Sequence, residues 1–329
     1  MSKKILGSVF LLLCIAIATS AFAQDLGIIT GKKKGTYYQF GLNLADLVKS
    51  RGIKLSVYDS AGSVENVFAV YKTPGIQMGI VQADVLAFVT RIQNNPLLKR
   101  IAAKTKMVFP LYNEEVHLLA RKEIKDFEDL ADKTVAVGEE GSGIYLTSRL
   151  LFEISELKPR QVLPLAPDEA LAQLKKGKID AMFYVAGMPV KLFAEDVSAQ
   201  DGLALVPIGN KSILEFYPPV EIPARTYSWQ AQAVNTVAVK AVMISYDFTR
   251  LRCENIGQFA RTLYENLDWL KANGHPKWKS VDLNFPLKGW EQYECVRKAI
   301  RRPSPSPRAP EKPSSANPVA DAIKKMLSE

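Results

Sequence analysis

The stretch LGIITGKKKGTYYQF, residues 26–40, carries an apolar strand pattern into a glycine turn and out into a helical pattern. The same grammar returns twice: Val57 to Asn66 passes through Gly62-Ser63, and Val135 to Thr147 passes through Gly141-Ser142-Gly143. At each junction the first N–H groups of a new helix have no intrahelical acceptor and point at whatever fills the turn. Three such junctions predict a site that grips an anion or polar solute, not one that breaks bonds.

Outward from that stretch the chain alternates between two periods. Strands are predicted at Leu26 to Thr30, Lys54 to Tyr58 and Gln77 to Val81, and helices at Tyr37 to Ser50, Ser63 to Lys72 and Ala83 to Gln93. Connections this short mean a parallel sheet covered by helices. A second block follows, with extended runs at Val116 to Ala120, Phe127 to Leu130, Thr134 to Val137, Gln161 to Pro164 and Ile179 to Val185. Its helices are predicted at Ile144 to Ile154 and Pro167 to Lys175. After Val206 come a strand pattern, Ala233 to Ala241, and helical patterns at Asn255 to Asn273 and Trp290 to Arg301. Two sheet domains, with the chain crossing out and back, predict a hinged α/β binder whose cleft lies beyond the carboxyl ends of the strands. Lobe one is expected over 24–112 plus 209–301, and lobe two over 113–208.

The chain begins with Lys3 and Lys4, an apolar run from Ile5 to Ala18, and Ala21-Phe22-Ala23. That is the pattern of a cleavable secretory signal over 1–23, with Gln24 as the new N-terminus and the periplasm as the expected compartment. Leu11-Leu12-Leu13 before Cys14 lacks the small residue that lipoprotein processing needs. At the other end, 302–318 holds six of the 19 prolines with almost no apolar side chains, which reads as a linker. Beyond it Val319, Ala322, Ile323, Met326 and Leu327 recur at helical spacing, so 319–329 reads as a short helix that docks on the body of the protein or on a partner, or frays.

The formal charge of +9 falls to +7 when Lys3 and Lys4 leave with the signal, an excess spread along the chain that suits anionic solutes at least as well as nucleic acid. No nucleic-acid partner is expected. Two cysteines remain, Cys253 and Cys295. In an oxidising compartment an even pair favours a disulfide, worth about 4 kcal/mol for a loop of this size, the alternative being two buried thiols.

Each motif has a bland reading beside the functional one. Gly31-Lys32-Lys33-Lys34-Gly35-Thr36 has three residues between its glycines and no Lys-Thr after the second, so it is not a nucleotide phosphate loop. What remains is a glycine turn into Thr36-Tyr37-Tyr38, which contacts ligand or simply caps a helix with packed aromatics; the lysines read as a solvated turn. Ser63, with Asn66 three positions on, fits an N-cap. Gln82 and Asp84 close a strand, where each is a ligand contact or a helix cap. Ser142 between glycines suits carboxylate binding. It does not fit a nucleophile elbow, because the glycines adjoin it directly, and neither His117 nor His275 shows any local pairing with it. Two distant histidines and no Cys-x-x-Cys give no metal motif, so no cofactor and no catalysis are expected.

Together these junctions resemble the TRAP-associated extracytoplasmic immunogenic (TAXI) family of solute receptors. The resemblance rests on Thr30-Gly31 with Gly35-Thr36-Tyr37-Tyr38, on Gly62-Ser63-Val64-Glu65-Asn66, and on Gly79-Ile80-Val81-Gln82-Ala83-Asp84. It continues through Pro110-Leu111-Tyr112 with Glu115-Val116-His117, Val137-Gly138 with Gly141-Ser142-Gly143, and Gly177-Lys178-Ile179-Asp180-Ala181 with Gly187-Met188-Pro189, covering about Leu26 to Ile208. It implies a two-lobed, type II periplasmic-binding-protein-like fold that hands a small carboxylate, such as glutamate, to TRAP-type permease subunits. Its implied ligand contacts are Thr36, Tyr37, Tyr38, Ser63, Gln82, Ser142, Tyr184 and Gly187, with Glu115 and His117 serving the hinge. A monomer is expected. An ABC-type importer receptor or a periplasmic sensor subunit are the alternatives on the same fold. Lys32-Lys33-Lys34 stands where that family is commonly glycine-rich, and Ile144 stands where threonine is common.

Overall fold

The computed structural model describes residues 24–91 and 95–301; the expected signal, linker and tail helix lie outside the described residues. The first lobe opens with β1 (Gln24–Ile29), α1 (Thr36–Lys49), β2 (Ile53–Tyr58), α2 (Ser63–Lys72), β3 (Met78–Gln82), α3 (Ala83–Arg91) and α4 (Pro96–Lys104). The chain then leaves along β4 (Thr105–Arg121), a 17-residue strand. The second lobe comprises β5 (Thr134–Ala136), α5 (Gly143–Ser155), β6 (Gln161–Leu163), α6 (Pro167–Lys175), β7 (Ala181–Ala186), α7 (Lys191–Asp196), β8 (Leu203–Leu205), α8 (Lys211–Leu214) and β9 (Pro219–Ile222). The return is β10 (Val234–Tyr246), followed by α9 (Arg250–Glu265), α10 (Leu267–Asn273) and α11 (Glu294–Arg301). Among the described residues no helix is long and apolar enough to cross a membrane.

Helix α1 shows why these segments settle where they do. Phe40, Leu44, Leu47 and Val48 fall on one face of the helix and are all buried against β1, β2 and α9, while Leu42 and Lys49 face water. The pattern of a strand and its returning helix also makes β1 parallel to both β2 and β3, and β5 parallel to both β6 and β7.

The two expected sheets are joined into one. Strand order runs β2-β1-β3-β10-β4-β7-β5-β6, with β8 paired to β4 and β9 to β10. Strands β4 and β10 are antiparallel to each other, and each is long enough to serve both lobes. At about 3.3 Å per residue β4 spans roughly 55 Å. Its first third pairs with the part of β10 that also borders β3, and its last third pairs with β7. Between them, Asn113, Glu114 and Glu115 face Lys240, Val239 and Ala238, and the register slips by one between Lys240 and Val242. This bulged pair is where the lobes meet, since a bulge bends and twists the strand that carries it.

Several local expectations give way to identifiable competing forces. Phe127 to Leu130 is not extended: Glu128–Leu130 is a 3-10 turn, held by Asp129, whose carboxylate accepts from Lys125 N at 2.7 Å, and by Asp126, which accepts from Asp129 N at 3.0 Å. The helical run 255–273 breaks at Asn266 into α9 and α10. Residues 209–237 put Ile213, Tyr217 and Val237 into the core that holds Val116, Phe127 and Leu151, and Ile222 and Tyr227 into the one that holds Leu119 and Phe193. Cys253 of α9 and Cys295 of α11 are bridged, with Cα atoms 5.5 Å apart, closing a 42-residue separation. On the chain-entropy model that link contributes about 4 kcal/mol.

Candidate functional site

The three glycine junctions arrive at one place. Gly35 precedes α1, Gly62 precedes α2 and Ser142 caps α5, and all three helix starts line a cavity of about 50 Å³ between the lobes; Pro167, at the start of α6, lines it too. The unpaired N–H groups of each first turn, and the positive ends of the helix dipoles, are thereby gathered around a single small volume.

Six of the eight residues that the sequence singles out line this cavity: Thr36, Tyr37, Ser63, Gln82, Ser142 and Tyr184. Tyr38, half-buried on α1, lies outside the lining. Gly187 also lies outside it, but its carbonyl accepts a 2.6 Å hydrogen bond from Thr36 Oγ1 across the cleft. Ser142 behaves as expected of an N-cap, accepting from Tyr145 N at 3.0 Å. Ser63 does not cap: Gly62, with φ +134°, takes that position, and Ser63 Oγ accepts instead from Gln82 N at 3.1 Å. Asn66 is likewise structural. Its amide donates to the carbonyls of Thr30 and Ile80, and its side-chain oxygen accepts from Ser60 Oγ at 2.7 Å, tying α2 to β1 and β3.

Gly143 allows a close approach. A Cβ there would run into the Gln82 side-chain carbonyl and Ser63 Oγ, so any larger residue at the start of α5 would push those two cavity side chains aside.

Glu114 is the cavity residue that the sequence reading missed. It is 2 % exposed, lines the cavity, and accepts a 2.6 Å hydrogen bond from Tyr37 Oη. Burial, and then the nearby Asp84 and Glu115 carboxylates, push its pKa well above the usual carboxylate range, while the Tyr37 bond pulls it down. Burial and the Glu114 charge in turn raise Tyr37 well above an ordinary phenol, and burial also raises Tyr184. Because neighbouring strand residues face opposite ways, Glu115 points away from the cavity. It is paired with the buried Lys277 and accepts from Met188 N at 3.0 Å. His117 shares that face. Its Nδ1 sits 2.9 Å from Glu115 O and its Nε2 2.9 Å from Tyr227 Oη, which itself accepts from Val190 N. His275 bonds Pro189 O and Lys277 N, so both imidazoles are engaged away from Ser142.

The lobes also bond each other directly. Lys32 pairs with Glu139 at 2.9 Å and Lys34 with Asp196, so two lysines of the first turn reach acidic partners on the second lobe. Glu65 N donates to Gly141 O at 2.9 Å. Asp84, at the start of α3, accepts from Thr147 Oγ1 at 2.7 Å and Tyr217 Oη at 3.0 Å. Asp84 is thus a latch between the lobes.

A hinged pair of α/β lobes closed over a cavity of helix N-termini defines a solute-binding fold. The model of the NMT1-like family matches residues 28–289, and the chain belongs to that family. Among solved structures it is similar to MatC from Rhodopseudomonas palustris with bound malate (TM-score 0.52, 16 % identity, 84 % of this chain and 96 % of that one). It is also similar to a periplasmic transporter (TM-score 0.51, 13 % identity, 75 % and 84 %). A third is the substrate binding protein of an amino acid ABC transporter (TM-score 0.46, 12 % identity, 76 % and 99 %). At such identities the likeness to the first two shows the fold: a mixed sheet with helices in the two-lobed form of periplasmic binding proteins.

Proposed function

We propose that this protein is a periplasmic receptor of the TAXI kind, exported by its N-terminal signal, that captures a small carboxylate by lobe closure and delivers it to a TRAP-type permease. One observation carries the reading: the N-terminal turns of α1, α2 and α5 converge on an interlobe cavity with the hydroxyls of Ser63 and Ser142 and the amide of Gln82. Such an arrangement neutralises a carboxylate by directed N–H groups without an arginine. Thr36, Tyr37, Ser63, Gln82, Ser142 and Tyr184 are assigned as its contacts, with Gly187 holding Thr36 in place. Closure links affinity to conformation, because the solute stabilises the closed form only by its differential contacts there. The protein acts as a monomer, without a cofactor and without catalysis.

The test is a thermal-shift screen of unfolded and refolded protein against amino acids, dicarboxylates, keto acids and aromatic acids. A rise of several degrees with one carboxylate, lost in Ser142→Ala or Gln82→Ala, is the expected result. No rise with any of them would refute carboxylate capture. Uptake in vesicles containing the permease subunits tests the delivery step: transport that requires an ion gradient supports TRAP-type delivery, and transport that requires ATP assigns the protein to an ABC-type importer.

A further inference from the structure

We propose that His275 is an acid-sensitive clasp between the lobes: with a neutral ring it holds the second lobe at Pro189, and with a protonated ring it lets go.

His275 stands on the first lobe, where its backbone N–H donates to Asn43 Oδ1 of α1 at 2.8 Å. Its ring makes two further bonds. Nδ1 accepts from Lys277 N at 3.2 Å and so caps the 3-10 turn Pro276–Ser280, while Nε2 lies 3.2 Å from the carbonyl oxygen of Pro189 on the second lobe. A backbone N–H only donates and a carbonyl only accepts, so Nδ1 is the bare nitrogen and Nε2 carries the proton. One form of imidazole, neutral and protonated on Nε2, satisfies both partners. A second proton would land on Nδ1, facing the Lys277 N–H, and the cap would be lost.

The surroundings oppose that second proton. Lys277, two residues on, is the nearby cation, and its ammonium is paired with Glu115 of β4. Lys279, on the same turn, is exposed. Helix α1 presents the uncharged Asn43 and the ring of Phe40, whose centre is 6.0 Å from that of the imidazole. Residues 187–190 carry no titratable side chain. Burial holds the His275 pKa below the ordinary 6.5; the Pro189 bond raises it and the Lys277 charge lowers it further. The ring is nevertheless only half-buried, so protons reach it.

What the clasp grips is the segment beside the cavity. Gly187 O accepts from Thr36 Oγ1 at 2.6 Å, Met188 N donates to Glu115 at 3.0 Å, Pro189 O accepts from His275, and Val190 N donates to Tyr227 Oη at 3.0 Å. Thr36 and His275 reach this segment from the first lobe, and Thr36 also lines the cavity. When His275 lets go, Thr36 keeps the remaining first-lobe bond to it. The closed arrangement thus favours the neutral ring, whereas a ring freed from Pro189 and Lys277 regains an ordinary pKa. By linkage, this contribution to closure is complete above pH 6.5 and is lost as pH falls through the lower pKa of the closed form.

Nuclear magnetic resonance of the full-length protein without a histidine tag tests this, because His117 and His275 then supply the only two imidazole signals. Ring Cε1 signals and the amide of Met188, labelled with 15N-methionine, are followed from pH 8 to pH 4.5. The His275 midpoint is expected below 6.5, with the Met188 amide shifting at the same midpoint. In His275→Asn, whose short side chain still caps the turn but does not reach Pro189, that amide shift is expected to disappear. Small-angle scattering should give wild type a larger radius of gyration at pH 5 than at pH 7.5, and His275→Asn the larger radius at both. A His275 midpoint at or above 6.5, or a Met188 amide that does not follow it, would overturn the clasp. So would a Met188 shift that persists in the variant, or a wild-type radius that is the same at both pH values. His117→Gln, which leaves one imidazole, assigns the His275 signal, and the wild-type midpoints decide the matter even if His275→Asn does not fold. No solute enters these measurements, so their failure leaves carboxylate capture untouched.

Discussion

Replacing Lys277 by methionine strips the cation from the most deeply buried ion pair among the described residues. The side chains of Lys277 and Glu115 are 8 % and 3 % exposed, and the carboxylate would keep only the Met188 N–H at 3.0 Å. Removing one partner of a buried pair leaves the other charge desolvated, at a cost of about 3–5 kcal/mol. For a chain of this size 1 kcal/mol corresponds to about 2 °C, so Lys277→Met is expected to melt roughly 6–10 °C below wild type. The double variant Lys277→Met with Glu115→Leu leaves no orphan charge and should return to within about 2 kcal/mol of wild type, because a well-packed apolar pair is often no worse than a buried ionic one. Differential scanning fluorimetry with urea unfolding on wild type, both single variants and the double variant reads the full cycle. A Lys277→Met protein melting within 2 °C of wild type would refute the reasoning, since it would mean that Glu115 finds another way to shed its charge. The stake is local as well as global: the pair fixes the crossing strand β4 to the segment Pro276–Ser280, whose Trp278 stacks on Phe40 of α1 with ring centres 4.0 Å apart.

Two further outcomes are expected. Burial lowers the His117 pKa to about 4, against 6.5 for the free side chain, so its neutral ring stabilises the fold fully above pH 6.5 and that contribution is lost as pH falls through 4. Urea unfolding at pH 7 and pH 4.5 should show wild type losing about 2–3 kcal/mol more than His117→Gln; parallel losses would show that the ring is not held neutral. Asp84→Ala removes the acceptor for Thr147 and Tyr217 and should weaken closure by roughly 3–6 kcal/mol, two hydrogen bonds to a charged group being worth about 1.5–3 kcal/mol each. Small-angle scattering should then show a larger radius of gyration, with weaker solute binding in parallel; unchanged scattering would mean that the latch does not hold the lobes.

The βα alternation of the first lobe was legible, because its helices are amphipathic and the turns into α1 and α2 each carry a glycine. Predicted and observed bounds of α2 coincide, and those of α1 differ by one residue. Helix α4 was legible but unread: Asn95 accepts from Leu97 N and Leu98 N, and Pro96 occupies the first helical position, a strong start signal in a polar stretch. The single sheet was harder to see. The apolar run that became β4 is interrupted by Asn113-Glu114-Glu115, and a reading by local period ends a strand at such a polar break. Tertiary structure overrides it, giving each glutamate a separate environment on its own face. The same alternation held the clue to Glu114, since of two adjacent glutamates within one strand only one can point towards Lys277. The pairing of Lys32 and Lys34 with Glu139 and Asp196 was beyond any sequence reading, as the partners lie more than 100 residues away and meet only when two lobes face each other.

Those lobe-to-lobe bonds have a consequence for discrimination. The contacts Lys32 to Glu139, Glu65 to Gly141, Thr36 to Gly187 and Asp84 to Thr147 form between protein groups, and they contribute the same free energy whichever solute is enclosed. They therefore raise the affinity for every solute alike and cancel from the ratio between any two, because selectivity is a difference of affinities. Preference rests wholly with the few groups that touch the solute. A mutation in the latch should change how long any solute stays, and only a mutation in the cavity should change which one is kept.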